Sequence, residues 1–344
     1  MAGETMRQWE ARPGQTPTFQ LTSTARPTPG PGEALVRVDA VSLNYRDIAM
    51  LDGELAAPSG PPVPGSDIAG EVVAVGPQVT RVAVGDRVID ADNTDWIDGR
   101  PPQHANAVPV LGRLAEFAVI PVAQLVRAPT SLEAAGASTL PVAGSTAWFA
   151  LVEEGGLHAG QTIVVQGTGG VSLFALQLAH AHGARVIVTS SSDIKLKRAL
   201  ALGADHVINR VLEPEWQRTV LEITGGRGAD HVLEMAGGDN LARSLEAVAL
   251  GGRVSLIGLL DDAQMRAPIV PLLYKRATLA AIAVGHRRAL EDLVRAVDNL
   301  SLKPQIDGLY DFSDVPKAFE HLRRGPFGKV VVSLASETST SHAA

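Results

Sequence analysis

Hydrophobic and polar positions alternate in short segments through the first third of the chain. The segment "EALVRVDAV" alternates with period two, so that one face carries Ala34, Val36, Val38 and Ala40. The segments "GEVVAVG", "GDRVI" and "LAEFAVI" follow, separated by the Pro, Gly and Asp residues that favour turns. We therefore expect an antiparallel β domain in this part of the chain.

The pattern changes from about residue 134, where apolar segments alternate with longer helical stretches. The segments "TIVVQG", "ARVIVTS", "DHVIN", "ADHVLEM" and "GRVSLIG" follow one another every 20 to 25 residues or so, the spacing of βαβ units. This pattern predicts a parallel sheet with helices on both faces. Near the end of the chain, "FSDVPKAFEHL" predicts a helix capped by Ser313 and "GKVVVSL" predicts a closing strand.

Composition limits the class of protein. A chain of 344 residues exceeds the length that one hydrophobic core usually supports, so two domains are expected. No apolar run approaches the ~20 residues of a membrane span, the N-terminus lacks a signal peptide's apolar centre, and the net charge of −7 is not concentrated in blocks. We expect a cytoplasmic protein with a small-molecule substrate and neither nucleic-acid nor membrane partners. The absence of cysteine excludes disulfides, thiolate nucleophiles and thiolate metal ligands.

A glycine-rich turn separates the first strand of the βαβ region from its helix. The glycines are Gly167, Gly169 and Gly170, after the predicted strand Ile163–Gln166 and before a helix over Val171–His182. In this context the turn and the free N–H groups of the helix bind the pyrophosphate of a dinucleotide. The third glycine position holds Ser172, small enough for close packing of helix and strand. The alternative is a turn of an α/β protein that binds nothing.

The second strand of this region ends in hydroxyl residues. They are Thr189, Ser190, Ser191 and Ser192. NAD-specific folds place an acid there, on the ribose 2′-hydroxyl, whereas hydroxyls donate to a 2′-phosphate. Lys195 and Arg210 add positive charge, so the sequence favours NADP (as NADPH) over NAD. The alternatives are that Asp193 and Ser192 only begin a helix and that the two basic residues are ordinary solvent-exposed ones.

Seven motifs, in their order, resemble the medium-chain dehydrogenase/reductase superfamily, in its quinone oxidoreductase-like branch. They are "VSLNYRDI", "PGSDIAGEVVAVG", "VGDRV", "LPVAGSTAW", "VVQGTGGVSLFALQLA", "LGADHVIN" and "GGRVSLIG". The resemblance implies an α/β protein with a GroES-like β catalytic domain, at 1–133 and 305–344. It also implies a Rossmann domain with a doubly wound parallel sheet, at 134–304.

The resemblance also bears on metal binding. Zinc-dependent members bind their metal through cysteine, histidine and a second cysteine or an acid. The matching positions here hold Asn44, Ser66 and Val142, none of them a good zinc ligand. We therefore expect no metal.

The resemblance further implies the residues of the site. Asn44 lies beside the nicotinamide ribose, and the adjacent Tyr45 is the candidate hydrogen-bond donor or proton relay. The alternatives are a turn residue for Asn44 and a core aromatic for Tyr45. The implied cofactor contacts also include Thr146, Thr168, Val171, Ile257, Gly258, Val284 and Lys329.

Without a Lewis acid, oxidation of a simple alcohol loses its main alkoxide-stabilising group. The expected activity is therefore NADPH-dependent hydride transfer to an α,β-unsaturated carbonyl compound or a quinone. Two alternatives stay open: an alcohol dehydrogenase or aldehyde reductase that acts without metal, and an NADPH-binding protein without turnover. The superfamily's dimers pair an apolar edge strand, which here is 277–284, so a homodimer is expected.

Overall fold

The computed structural model describes residues 4–12, 14, 17–54, 63–92, 95–103, 112–260, 262 and 264–334. The first part of the chain contains β1 (Thr5–Arg12), β2 (Thr18–Ala25), β3 (Glu33–Leu43), α1 (Tyr45–Leu51), β4 (Asp67–Val75), β5 (Arg87–Asp90), β6 (Phe117–Pro121), β7 (Leu125–Arg127) and α2 (Ala134–Ala137). The middle contains α3 (Ser145–Trp148), β8 (Thr162–Gln166), α4 (Gly170–Ala181), β9 (Arg185–Ser190), α5 (Asp193–Ala201), β10 (His206–Asn209), α6 (Trp216–Ile223), β11 (Ala229–Glu234), α7 (Asn240–Ala247), β12 (Val248–Leu256), α8 (Ile269–Tyr274) and β13 (Thr278–Ala281). The last part contains α9 (Arg287–Leu300), β14 (Ile306–Asp311), α10 (Val315–Arg323) and β15 (Lys329–Ser333). Within the described ranges, no helix has both the length and the apolar character needed to cross a bilayer.

The chain divides into two compact units, 1–142 with 286–344 and 143–285. The sequence predicts boundaries at 133/134 and 304/305, which would place α2 and α9 in the central domain. In the structure, both helices fall in the first unit. Both helices pack on strands of the first unit, α2 against β3 and β4 and α9 against β7. The carboxylate of Asp298 on α9 also accepts hydrogen bonds from the backbone of Thr130 and Ser131.

The first unit is built on a seven-stranded sheet in the order β14-β15-β3-β4-β5-β7, with β6 also paired to β3, and on a hairpin of β1 and β2. The alternating positions of β3 are all buried in its core, as predicted. Strand β15 pairs antiparallel with β3, and Val330 lies opposite Leu43. This register brings Lys329, at the start of β15, beside Asn44 at the end of β3.

Helix α10 begins later than the sequence predicts. A 3₁₀ turn spans Phe312–Asp314, and α10 starts at Val315 with Asp314 as its N-cap residue. Ser313 therefore lies inside the turn and does not cap the helix. The turn buries Phe312 in the core against Trp9, and this tertiary contact shifts the helix start.

The second unit is a six-stranded parallel sheet in the order β10-β9-β8-β11-β12-β13. The predicted Rossmann-like parallel sheet is confirmed. The strand order reverses between β8 and β11, and ligands of such sheets bind outside the carboxyl ends of the strands at this switch point. The loops after β8, β9, β10, β11 and β12 are therefore where a cofactor site is expected.

Candidate functional site

The glycine turn lies between β8 and α4. Gly167 has φ +76°, a left-handed conformation that side chains disfavour, and its N–H donates to the carbonyl of Thr189 at 2.7 Å. A Cβ added at Gly169 would meet no atom within 4 Å, so the backbone there faces open space. Helix α4 starts at Gly170, and the free N–H groups of its first turn are donors that suit a bound phosphate.

The third glycine position of the motif accommodates a serine. Ser172 is buried, and its hydroxyl donates to the carbonyl of Gln166 at 2.8 Å, which ties the first turn of α4 to the end of β8. Thr168 is buried and Val171 is half-buried in the same turn. The motif requires close packing of helix and strand at this position, and the small serine side chain allows it in place of glycine.

The serines of the hydroxyl run after β9 differ in their contacts. Ser192 caps α5, since its Oγ accepts the N–H of Lys195 at 3.4 Å. Ser190 is buried, and its Oγ accepts the N–H of Ser192. Ser191 is exposed, and Arg210 lies next to the strand end because its N–H donates to the Ser190 carbonyl at 3.0 Å. Part of the run therefore starts a helix, while the side chains of Ser191 and Arg210 remain accessible.

Ile257 and Gly258, two predicted cofactor contacts, lie where the end of β12 approaches β11 closely. The N–H groups of Ile257 and Gly258 both donate to the Glu234 carbonyl, at 3.0 and 3.1 Å. A Cβ at Gly258 would collide with the carbonyl oxygen of Met235. A glycine is therefore required where β12 leaves the sheet at its carboxyl edge.

Val284 shows a strain that the sequence did not indicate. It is buried with φ +62°, and a β-branched residue in the left-handed region costs about 1–3 kcal/mol. A Cβ at the following Gly285 would lie 3.0 Å from the Ser145 hydroxyl, so this segment passes close to α3, which also carries the buried Thr146. Backbone strain of this kind is concentrated at functional sites.

In the first unit, Asn44 belongs to a set of buried polar side chains in contact with one another, which we call the buried polar network: Asn44, Ser66, Asp67 and Lys329. The Asn44 amide donates to Ser66 Oγ at 3.2 Å and to Asp67 Oδ2 at 2.9 Å. Its carbonyl oxygen accepts from Lys329 Nζ at 2.6 Å, and the same ammonium donates to the Leu43 carbonyl at 2.7 Å. Lys329, which the resemblance assigns to the cofactor, is only 3% exposed.

Charges surround this network. Burial raises the pKa of Asp67 to about 7, against the opposing effect of Lys329, and burial lowers the pKa of Lys329 to about 8, against that of Asp67. Arg46 reaches the network through Ser66 Oγ at 3.2 Å and pairs with Asp92 at 2.6 Å. Sequence reasoning missed Asp67 and Arg46; the only signal was a polar pair, "SD", that interrupts an apolar segment.

These residues do not fit a zinc ion. The Asn44 carbonyl oxygen accepts a hydrogen bond from an ammonium and Ser66 Oγ accepts one from a guanidinium, so both oxygens face cations. The side chain of Val142 has no ligand atom, and its backbone N–H donates to Asp67 Oδ2 at 3.4 Å. In the part of the chain that the structure describes, no group of three or more His, Cys, Asp or Glu residues could hold a metal ion.

Tyr45 is the first residue of α1, and its ring is outside the buried polar network. The side chain is 42% exposed, and its hydroxyl donates to Glu54 Oε2 at 3.4 Å. Partial burial and the negative charge of Glu54 raise the pKa of Tyr45, so the phenol keeps its proton at neutral pH. Tyr45 is thus an accessible hydrogen-bond donor, while the side-chain amide of Asn44 beside it bonds only within the network.

Comparisons with known proteins agree with this architecture. Residues 30–130 match the family model of the alcohol dehydrogenase GroES-like domain, and residues 170–299 match that of zinc-binding dehydrogenases. A zinc-type alcohol dehydrogenase-like protein of Schizosaccharomyces pombe is 37% identical over 316 residues, 88% of this chain and 91% of that protein.

Two further proteins extend the comparison. A crystal structure from Sinorhizobium meliloti, whose protein has a provisional alcohol dehydrogenase name, superposes with a TM-score of 0.90 at 51% identity, over 97% of this chain and 100% of that one. An acryloyl-coenzyme A reductase of Sulfurisphaera tokodaii is 26% identical over 93% of this chain and 98% of that protein. The relatives thus include both dehydrogenases and a reductase.

Proposed function

Because the chain belongs to the medium-chain dehydrogenase/reductase superfamily and is an NAD(P)-dependent oxidoreductase, we propose that it is a zinc-independent, NADPH-dependent reductase of α,β-unsaturated carbonyl compounds or quinones. The observation that carries the proposal is the buried polar network, in which Asn44 and Ser66 occupy two of the three positions that match the superfamily's metal ligands. Lys329 and Arg46 direct their cationic groups at the oxygens there, and Val142 offers no ligand atom. Reduction of an activated C=C needs only hydrogen-bond donors at the developing oxyanion, whereas alcohol oxidation relies on a Lewis acid.

The cofactor fits the second unit. The turn at Gly167–Gly170 and the N-terminus of α4 would hold the pyrophosphate, and Ser191 and Arg210 are the accessible groups for a 2′-phosphate. When bound, NADPH supplies a hydride to the substrate. The residues expected around the nicotinamide half of NADPH are Val284, Thr146 and Gly258.

Tyr45 is the proposed donor to the substrate oxygen. Its raised pKa keeps the hydroxyl protonated, so it donates a hydrogen bond and then a proton rather than acting as a base. Asn44 and Lys329 fix the end of β3 from which α1 and Tyr45 start. The acryloyl-coenzyme A reductase relative supports reduction of an activated C=C as the reaction class.

The test is an assay of NADPH oxidation with an enone, an enoyl thioester, a quinone and a simple aldehyde. We expect the activated C=C or quinone acceptors to react at least tenfold faster than the aldehyde, and we expect EDTA to leave the rate unchanged. Tyr45→Phe should lower kcat about 100-fold, the contribution of one general acid, while the control Tyr310→Phe should not. Stoichiometric zinc, or activity restricted to aldehydes, would contradict the proposal, and NADPH binding without turnover would favour a binding protein.

Cofactor choice has its own test. NADPH should bind at least tenfold more tightly than NADH, since the 2′-phosphate adds charge-assisted hydrogen bonds. Ser190→Asp places a carboxylate at the end of β9 and should weaken NADPH while it offers NADH a ribose acceptor. Lys195→Ala should weaken NADPH alone. Equal affinities of the unmodified protein for both nucleotides would contradict NADPH specificity.

We also propose a homodimer through the edge of the parallel sheet. Strand β13 is an edge strand with exposed apolar side chains, and the adjoining α8 exposes Ile269, Leu273 and Tyr274, the last by 81%. Apolar edges of this kind are usually covered. Ala281→Asp should yield a monomer or an insoluble protein, whereas the exposed control Ala25→Asp should stay dimeric. A monomeric unmodified protein in sedimentation at micromolar concentration would contradict this interface.

A further inference from the structure

A cavity of about 490 Å³ opens at the carboxyl edge of the parallel sheet, lined in part by three arginines. Arg210 follows β10, Arg243 lies on α7 after β11, and Arg266 lies between β12 and α8. The three arginines thus come from three consecutive βα units, at the edge where ligands of such sheets bind. The volume falls within the range of ordinary ligand pockets.

The arginines are not neutralised within the protein. Throughout the ranges that the structure describes, the guanidiniums of Arg210, Arg243 and Arg266 make no ion pair. Two carboxylates, Asp239 and Asp262, also line the cavity, and Asp262 Oδ1 accepts the N–H of Gln264 at 2.9 Å. The three arginines outnumber the two carboxylates by one, so the lining has a net positive charge, which favours an anionic ligand.

The cavity adjoins both segments assigned to the cofactor. Asn240, in its lining, donates to the side chain of Gln166 at 2.9 Å, and Gln166 immediately precedes Gly167. On the other side, the N–H of Arg210 donates to the carbonyl of Ser190, where β9 ends. A nucleotide with its pyrophosphate at the glycine turn would therefore have its adenosine beside this cavity.

We propose that Arg210, Arg243 and Arg266 form a binding site for a 2′- or 3′-phosphomonoester on the ribose of an adenosine nucleotide, a proposal that rests on the dinucleotide-binding function above. Guanidinium groups recognise phosphate oxygens by bidentate, charge-assisted hydrogen bonds, and three of them around one cavity form a phosphate clamp. The phosphate has two possible sources: the 2′-phosphate of NADPH or the 3′-phosphate of a coenzyme A thioester. Recognition would then depend on Arg243 and Arg266, which are distant in sequence from the hydroxyl run after β9.

The test compares three soluble probes, AMP, adenosine 2′,5′-bisphosphate and adenosine 3′,5′-bisphosphate, by calorimetric titration of the full chain. In Arg243→Gln and in Arg266→Gln we expect one bisphosphate to bind at least tenfold more weakly while AMP changes less than threefold. The matched control Arg185→Gln removes the same charge from the start of β9, at the opposite edge of the sheet, and should leave all three affinities unchanged. A loss for the 2′-isomer together with NADPH assigns the site to the cofactor, and a loss for the 3′-isomer alone assigns it to a thioester substrate.

The outcomes separate this inference from the proposed function. If NADPH binds and is oxidised but neither bisphosphate loses affinity in the two variants, the arginine site is wrong and the reductase proposal stands. If a bisphosphate binds through these arginines but no acceptor supports NADPH oxidation, the phosphate site stands and the proposed reaction fails. Thermal unfolding of each variant shows whether an affinity loss reflects a damaged fold, and the exposed Arg266 is the position least coupled to the core.

Discussion

The buried polar network of the first unit and the glycine turn of the second unit use polar groups in opposite ways. In the network, Asn44 satisfies its amide and carbonyl entirely with Ser66, Asp67 and Lys329. In the turn, the backbone at Gly169 faces open space, and the first helical N–H groups have no side-chain cap. Polar side chains that bond one another inside the protein stabilise and position the structure around them, whereas an open turn keeps its donors available for a ligand. The comparison predicts that damage to the network lowers stability and damage to the turn lowers binding.

The largest effect is expected from Lys329→Met, which removes the cation of the network. The carbonyl oxygen of Asn44 then loses its partner and the buried carboxylate of Asp67 loses one of its two nearby cations, so the free energy of unfolding should fall by about 3–5 kcal/mol at pH 7.5. The loss should be smaller at pH 5, because Asp67, with its raised pKa, is then protonated. Denaturant titration measures both values. The exposed control Lys303→Met should change stability by less than about 0.5 kcal/mol, and Asp67→Asn combined with Lys329→Met should restore part of the loss.

A second prediction concerns the pH dependence of stability that the buried His231 gives to the second unit. His231 on β11 is buried with Nδ1 unpartnered, and burial lowers its pKa to about 4. Because this pKa is below the ordinary value of about 6.5, the neutral side chain contributes stability fully above pH 6.5, and that contribution is lost as pH falls towards 4. The loss amounts to about 3 kcal/mol. His231→Gln should reduce this acid dependence, and the exposed control His206→Gln should retain it; an unchanged pH profile in His231→Gln would refute the assignment.

The third prediction separates binding from stability at the glycine turn. Gly169→Ala adds a Cβ that meets no protein atom within 4 Å, at a φ of −81° that alanine adopts readily. Stability should therefore be unchanged, while the methyl group occupies the space of the pyrophosphate and weakens NADPH at least tenfold, equal to about 1.4 kcal/mol. Gly14→Ala, another position with open space, serves as the control. Unaltered NADPH affinity in Gly169→Ala would place the pyrophosphate elsewhere.

The smallest effect is expected within the hydroxyl run, where neighbouring serines have different roles. Ser192→Ala removes the cap of α5 and should cost about 1 kcal/mol of stability without a change in NADPH affinity. Ser191→Ala, at the exposed position, should leave stability unchanged and weaken NADPH. Thermal unfolding and nucleotide titration of the pair distinguish the two roles. If both variants lose affinity equally, the cap itself contributes to the cofactor site.

The predicted Rossmann-like sheet is confirmed, and the reason is that its signals are local. The strands of the second unit contain short apolar segments, such as Ile163–Val165 in β8 and Val186–Val188 in β9, and Gly183, with φ +76°, follows α4 where the sequence predicts its end. The glycine turn likewise requires only backbone conformation within a few residues. In contrast, the N-cap of α10 moved from Ser313 to Asp314 because Phe312 packs in the core, a tertiary contact that local pattern does not contain.

The amino-acid sequence by itself determined the alternation of strands and helices, the turn around Gly167 and the unsuitability of Asn44, Ser66 and Val142 as zinc ligands, because each depends on residue type and near neighbours. Only the tertiary structure decided which charged side chains lie against Asn44 and Ser66. Lys329 lies 285 residues from Asn44 in the sequence, and the pairing of β15 with β3 brings them into a hydrogen bond. The same holds for Arg210, Arg243 and Arg266, which the parallel sheet gathers at one edge. Long-range pairing of strands, which no local periodicity encodes, places these charges together.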